Sequence, residues 1–528
     1  MRPAILFALC LAAPILRAAE RPNVVFLVTD DQFKSMMNFY PEGNGKNLTP
    51  NTDALAAEAT VMDRLYVTSP VCTPSRYAAL TGLYPSRSQS KKFTQSTRQA
   101  GGQTVVQWNT FITGEVSALP RKFREAGYFT GMVGKNHAFE ADGWEMPRWE
   151  SDPKHAEVRA LLERNRLAQV AAARAIGFDF AASLYYNNPV ENGVKALAAH
   201  NLDWIAKGAI DFIDAAGDRP FFLYLATTVP HGPQEAGRSW DADRRITADG
   251  LLDEPLTVLP GRETYAPRLQ AARIRSPQKE NLLWLDDMIG ALVDKLRSAG
   301  KLENTVLLYF NDHGQKSKGT LYEGGVHGES FIWRKGGFPA GKRSSVPVSN
   351  VDFAPTLLDL AGIAYDAEEF DGRSFAPVLL GTSAQRTEPL FFELGYVRGV
   401  IHEGWKYLAL RYPEKAKSMT REERQRILDE FNAEQRRKGR PVHNTDPMAG
   451  FSHVLLIPGG GDAEQASMGA YPAFYDADQL YDLETDPSEQ SNLAKLPEHA
   501  GKLAALKRLL QDHLAKMPGT FAELKAAK

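Results

Sequence analysis

Four short runs of this chain are almost wholly apolar, and each breaks off at residues able to do chemistry. Asn23–Thr29 (NVVFLVT) runs into Asp30 and Asp31, and Thr130–Val133 into Gly134, Lys135, Asn136 and His137. Phe221–Ala226 (FFLYLA) leads to Pro230 and His231, and Thr305–Phe310 (TVLLYF) to Asn311, Asp312 and His313. Runs that are apolar at successive positions describe strands buried on both faces, as in a parallel sheet covered by helices. Helical patterns fall between them. Asp53 caps a short helix, Leu119 to Ala126 stops at Gly127, and Ala196 to Ala216 carries Leu202, Ile205, Phe212 and Ile213 on one stripe. Leu282, Leu285, Ile289, Leu292 and Leu296 form another stripe that ends near Gly300. The expected fold class is therefore α/β, a mostly parallel sheet sandwiched by helices. Ligands of such sheets bind beyond the carboxyl ends of the strands. Strands that deliver Asp, Lys, His and Asp-His to that edge predict one convergent site.

The chain after about residue 385 is patterned differently. Short strand-like pieces (Phe391-Phe392, Gly404-Trp405-Lys406-Tyr407-Leu408, Gln479-Leu480-Tyr481-Asp482-Leu483) are separated by long polar stretches, and an amphipathic helix at 501–516 closes the chain. Arg421 to Lys438 suits a solvated helix. The expected organisation is a leader at 1–19, a catalytic α/β domain at 20–385 and a smaller C-terminal α+β subdomain at 386–528.

Charge narrows the function. With 62 basic against 64 acidic residues the net is −2, which recommends neither nucleic acid nor an anionic membrane as a partner. Arg2 is followed by an uncharged apolar stretch from Ala4 to Leu16, then Ala18-Ala19 and a polar start at Glu20. That is the pattern of a secretory signal, too short for the roughly 20 residues a membrane-spanning helix needs. The expectation is a secreted or periplasmic protein with no membrane span. Only two cysteines occur, Cys10 inside that leader and Cys72, so no disulfide framework exists.

Asp30, Asp31 and Asp312 at strand ends offer hard carboxylate oxygens to a divalent cation, Ca²⁺ or Mg²⁺. The decisive stretch is SPVCTPSRYAALTGLYPSR at 69–87. Its Cys-x-Pro-Ser-Arg core closely resembles the signature of the sulfatase family, in which that cysteine is oxidised to Cα-formylglycine. The resemblance extends along the chain: RPNVVFLVTDDQ, TPNTDALAAEA, LPRKFREAGYFTGMVGKNH, PFFLYLATTVPHGP, NTVLLYFNDHG, KGTLYEGGVHGES and QLYDLETDPSEQSNLA are all similar to family segments.

What the resemblance implies is specific. The fold would be alkaline-phosphatase-like. Asp30, Asp31, Asp312 and His313 would ligate one Ca²⁺ together with an oxygen of the modified Cys72. Arg76 and Lys135 would hold the hydrated formylglycine and neutralise charge, and His137, His231 and Lys318 would complete a sulfate pocket. The substrate would be a sulfated small molecule or saccharide, and a formylglycine-generating maturase would act during biosynthesis. Two departures from the family pattern, Asn136 in the Gly-Lys-x-His segment and His327-Gly328 after the Glu-Gly-Gly-Val run, are expected near the pocket mouth. Two alternatives stay open: a phosphomonoester or phosphonate hydrolase of the same superfamily, and a catalytically silent binding homologue. His443, His453 and Gly459–Gly461 are expected in an exposed loop, His155, His200, His402, His499 and His513 without a role, and Asn47-Leu48-Thr49 matches a glycosylation sequon.

Overall fold

The apolar runs form the centre of one sheet. A computed structural model describes residues 21–232, 240–339, 341–383 and 385–524; the leader, with Cys10, lies outside the described residues. The strands are β1 (Asn23–Asp30), β2 (Thr60–Met62), β3 (Phe129–Lys135), β4 (Phe180–Tyr185), β5 (Phe221–Pro230), β6 (Thr305–Asn311), β7 (Ser330–Arg334) and β8 (Arg343–Ser344). Their spatial order is β8-β2-β7-β6-β1-β5-β3-β4, and β7 alone runs against the rest. β1 is central: Phe26 pairs in register with Tyr224 of β5 and Leu308 of β6.

Alternate residues of β1 feed two cores. Val24, Phe26 and Val28 pack with Phe222, Tyr224, Phe310, Phe353 and Leu357 on one face. Val25 and Leu27 pack with Leu223, Leu307, Ile205, Phe212, Trp284 and Ile289 on the other. Each fully buried side chain of this size contributes about 1.5–3 kcal/mol, so both faces must be covered, and the helices between the strands cover them.

Two strands run further than their apolar stretches. β3 continues through Gly134 to Lys135, and β5 to Pro230. Gly134 makes this possible: its φ is 93°, and a Cβ there would lie 1.9 Å from the carbonyl oxygen of Ala226. The helix expected from Ala196 starts instead at Leu202, capped by Asn201, whose Oδ1 accepts from the Trp204 N–H at 3.1 Å. Asp53 is not a cap but lies inside the helix Pro50–Glu58, accepting from Thr49 Oγ1 and Asn38 Nδ2.

The C-terminal part is a four-stranded antiparallel sheet, β9 (Leu390–Leu394), β10 (Val397–His402), β11 (Trp405–Leu410) and β12 (Asp478–Asp482), in that spatial order. One face packs on Leu503, Leu506 and Leu510 of the closing helix Ala500–Leu514. The other meets Tyr322, Tyr471 and Phe474. No helix among the described residues is long and apolar enough to cross a membrane.

Candidate active site

Asp30 is the last residue of β1, and Asp31 turns the chain with φ 59°, a left-handed conformation that Asp tolerates better than most residues. Lys135 ends β3, His231 follows β5, and Asp312 and His313 follow β6. Cys72 opens helix α1 (Cys72–Thr81), every residue of which is buried. Arg76 lies one turn further along the same face, as i and i+4 positions do.

These side chains form one charged cluster. Arg76 is fully buried and donates to Asp30 Oδ2 at 2.9 Å and to Asp312 Oδ2 at 3.0 Å. Lys135 Nζ donates to Asp30 Oδ2 and, at 2.7 Å, to Asn188 Oδ1. Lys318 Nζ reaches Asp31 Oδ1 at 2.6 Å. His231 Nε2 is 3.2 Å from Asp31 Oδ2, and His313 Nε2 is 3.1 Å from Asp31 Oδ1. The Cys72 Sγ is 3.8 Å from Asp30 Oδ1 and 3.7 Å from His313 Nε2. Among the described residues, nothing hydrogen-bonds the buried Nδ1 of His137.

Electrostatics follow from this geometry. Burial pushes the Asp30 and Asp31 carboxyls up, but the facing cations overcome it. Lys135, His231 and Arg76 hold Asp30 well below the usual carboxylate range, and His231, Lys318 and His313 do the same for Asp31. Burial drives the His137 imidazole well below its ordinary value, helped by Lys135 and Arg76, so it is neutral. Burial also lowers His231, against the pull of Asp31. His313 goes the other way: burial opposes its charge, but Asp312 and Asp31 raise it well above the ordinary value.

The residues fit a divalent cation. Asp31, Cys72, Asp312 and His313 bring one ligand atom each to within 4.8 Å of one another, and Asp30, Asp31 and His231 do likewise. Asp312 Oδ1 is buried and has no hydrogen-bond donor. Three carboxylates face three permanent cations (Arg76, Lys135, Lys318), so an added divalent ion leaves net positive charge for an anionic ligand.

Asn188 is a site residue that the sequence does not announce. It follows β4 in a loop, takes Lys135 on its oxygen and places Nδ2 3.0 Å from His231 Nε2. Tyr224 of β5 sits behind Arg76, with its hydroxyl 3.5 Å from Nη1. No motif marks either residue.

His327 lines a cavity beside Gln315, Lys316 and Ser317, its Nε2 bonding the Asp63 carbonyl at 2.7 Å and its ring stacked on Tyr66. Other expectations are corrected. His453 is buried, not exposed, bonded to the Phe474 carbonyl at 2.6 Å and stacked on that ring; His443 is exposed as expected. His513 is buried against Phe391, and His200 is buried with Thr228 Oγ1 at 2.8 Å. Asn47 of the sequon is also buried, its amide donating to the Ser35 carbonyl at 2.9 Å.

Comparison with known proteins places this geometry. The family model described as Sulfatase matches residues 22–363. The chain is similar to an ulvan-active sulfatase of Formosa agariphila, 25% identical over 514 residues, which span 94% of this chain and 75% of that one. Among solved structures it resembles a Bacteroides thetaiotaomicron chain from work on the metabolism of multiple glycosaminoglycans, with a TM-score of 0.60 at 19% identity, covering 93% and 99% of the two chains. It also resembles a phosphonate monoester hydrolase from Silicibacter pomeroyi, with a TM-score of 0.54 at 19% identity, covering 94% and 96%. At those identities the structural likenesses speak to fold alone.

Proposed function

Because the chain belongs to the sulfatase family, we propose that it is an exported hydrolase of saccharide sulfate esters, releasing alcohol and inorganic sulfate. The observation that carries this reading is Cys72, buried at the start of α1 with Arg76 one turn on, at the strand edge that holds Asp30 and Asp312. The saccharide substrate class is inferred from the ulvan-active relative and the glycosaminoglycan work. Export is inferred from residues 1–19, and a division at 385/386 from the change of sheet after β8.

In this proposal Cys72 is converted to formylglycine by a maturase, and Asp30, Asp31, Asp312 and His313 hold one Ca²⁺ with it. A hydrated formylglycine at position 72 would supply two hydroxyls, and a calcium ion held by Asp30, Asp31, Asp312 and His313 would supply Lewis acidity. The rest is the work of this chain's own side chains. Arg76, Lys135 and Lys318 set positive charge around the anionic group and stabilise the charge that develops on its oxygens. Their ammonium and guanidinium groups are already aligned by Asp30, Asp31 and Asn188, so little reorganisation accompanies the reaction. His231 Nε2, which accepts from Asn188 in the resting protein, faces the departing alcohol; the negative ester, once bound, offsets the burial that lowers the imidazole's pKa, so that Nε2 is protonated before it gives that proton to the alcohol. His137, kept neutral by burial, is able to take a proton, and its Nδ1 has no partner among the described residues.

The likeness to a phosphonate monoester hydrolase supplies the competing reading. Turnover of an aryl sulfate, a sulfated disaccharide panel and an aryl phosphonate by the mature protein separates the two. The proposal expects kcat/KM highest on a sulfate ester and abolished by Cys72→Ala. Preference for the phosphonate, or a fully active Cys72→Ala variant, would overturn it.

A further inference from the structure

Lys318 is the one cation of the cluster that no strand or long helix carries; it sits in the segment between Asp312 and the short helix Glu323–Val326. Much of what grips that segment comes from beyond residue 363, where the family match ends. Ser317 Oγ is 2.7 Å from the hydroxyl of Tyr471. Tyr322 donates to Gln479 Oε1 at 2.9 Å, and its ring lies 3.7 Å from that of Tyr471, nearly parallel. The Glu323 N–H donates to Glu489 Oε2 at 2.7 Å. Lys406 of β11, with no exposure, lies 3.2 Å from Glu323 Oε1 and 2.8 Å from Glu489 Oε1. The catalytic body holds the segment too: the Pro70 carbonyl accepts from the Gly319 N–H, the Val67 N–H donates to the Val326 carbonyl, Asn311 Nδ2 donates to the His313 carbonyl, and the Tyr66 hydroxyl donates to Glu323 Oε2.

The Gly-Trp-Lys-Tyr-Leu stretch and the Asp-Pro-Ser-Glu stretch thus end on one charged triad, Lys406–Glu323–Glu489, in which Lys406 and Glu489 are buried and Glu323 is partly exposed. Glu489 reaches it with a left-handed backbone, φ 56°, which a Glu rarely adopts. A lone buried lysine between two carboxylates is sensitive to the position of each, because moving either leaves its charge less well compensated. The same segment, five residues upstream of Glu323, delivers Lys318 Nζ to Asp31 at 2.6 Å.

We propose that Lys406 and Glu489 are positioning residues for Lys318: the C-terminal sheet latches the active-site segment through the Glu323 triad, and so sets where that cation meets the substrate anion. The proposal rests on the reading of Lys318 as a substrate-facing group. It also gives the C-terminal subdomain a role in the reaction without contact with the reacting atoms.

The test uses the full-length protein and two readouts, hydrogen exchange over residues 313–327 and kcat on an aryl sulfate. Glu489→Ala removes the acceptor of the Glu323 N–H; it should speed exchange in that segment about tenfold while β1 and β6 exchange at parent rates. It should also lower kcat about tenfold, but less than about twofold further in a Lys318→Ala background. Glu489→Gln keeps an oxygen for that N–H but sets an amide NH2 against Lys406, which only donates, so both readouts should fall between those of Glu489→Ala and the parent. Tyr471→Phe, which disturbs no buried charge, should shift both in the same direction by about threefold. Unchanged exchange over 313–327 in folded Glu489→Ala and Tyr471→Phe would overturn the latch, as would an equal kcat loss with and without Lys318. A parent inactive on every sulfate ester would instead overturn the proposed function, and the exchange measurement would still decide the latch.

Discussion

The side-chain amide of Asn188 lies 3.0 Å from Nε2 of His231, and its orientation is not free. Lys135 only donates, so the Asn188 oxygen turns to it at 2.7 Å and the amide nitrogen is left for the imidazole. His231 Nδ1 is in turn 2.9 Å from the Gly232 carbonyl, which only accepts. One amide therefore fixes the ring of His231 and the ammonium of Lys135 together.

Asn188→Ala should lower kcat on an aryl sulfate about tenfold to a hundredfold, with a change in Tm of no more than a few degrees, since it loosens two catalytic groups without emptying a core. Asn188→Asp offers no donor to His231 and should recover little of the loss. Steady-state kinetics with thermal unfolding on the same samples reads both.

Arg76 bridges Asp30 and Asp312 with its guanidinium, with no exposure on any of the three. Arg76→Met should lose activity and also destabilise the metal-free protein by about 3–5 kcal/mol, because two buried carboxylates lose a shared partner. Urea denaturation in the presence of a chelator measures it.

Chelation should act at the same edge. Removing divalent ions with EDTA should abolish turnover and lower Tm, and Ca²⁺ should restore both in a saturable manner. Mg²⁺ should restore less, since irregular carboxylate clusters suit the larger ion's flexible coordination. Calorimetry and activity during Ca²⁺ readdition check this together.

Away from the site, Glu464 is fully buried, its Oε1 accepting from the His453 N–H at 3.0 Å. Burial pushes its carboxyl up to about 8. A carboxyl raised by folding holds its proton more tightly in the native state. Its contribution is therefore whole below the unfolded value, 4.5, and is lost as pH rises toward about 8. Stability should fall across that window by at most about 1.4 kcal/mol per pH unit from this group, and Glu464→Gln should flatten the fall. Denaturation midpoints at several pH values test the sign.

Much of the site was legible because its ligands sit where apolar runs stop. Asp30, Lys135, His231 and Asp312 each follow a stretch buried on both faces, and buried strands leave charge only at their ends. Cys72 and Arg76 were legible from a local motif. Asn188 was not, since a lone amide in a loop has no period and meets its partners only through the order of strands in the sheet. Lys406 and Glu489 escaped for the same reason: each is ordinary in its own segment, and their triad exists only when β11 and the turn after β12 meet Glu323. His453 was misjudged because a neutral imidazole packs like an aromatic ring, as its stacking on Phe474 shows, and polar surroundings in sequence do not reveal that.

The central claim concerns the chemical state of position 72. Trypsin releases it within Leu65–Arg76 (LYVTSPVCTPSR), and mass spectrometry of that peptide, from protein made beside a maturation system, reads it directly. The peptide should be about 18 Da lighter than the cysteine form, the difference between a thiol and an aldehyde, in a proportion that tracks specific activity on an aryl sulfate. A fully active preparation whose peptide carries only unmodified cysteine would contradict the claim.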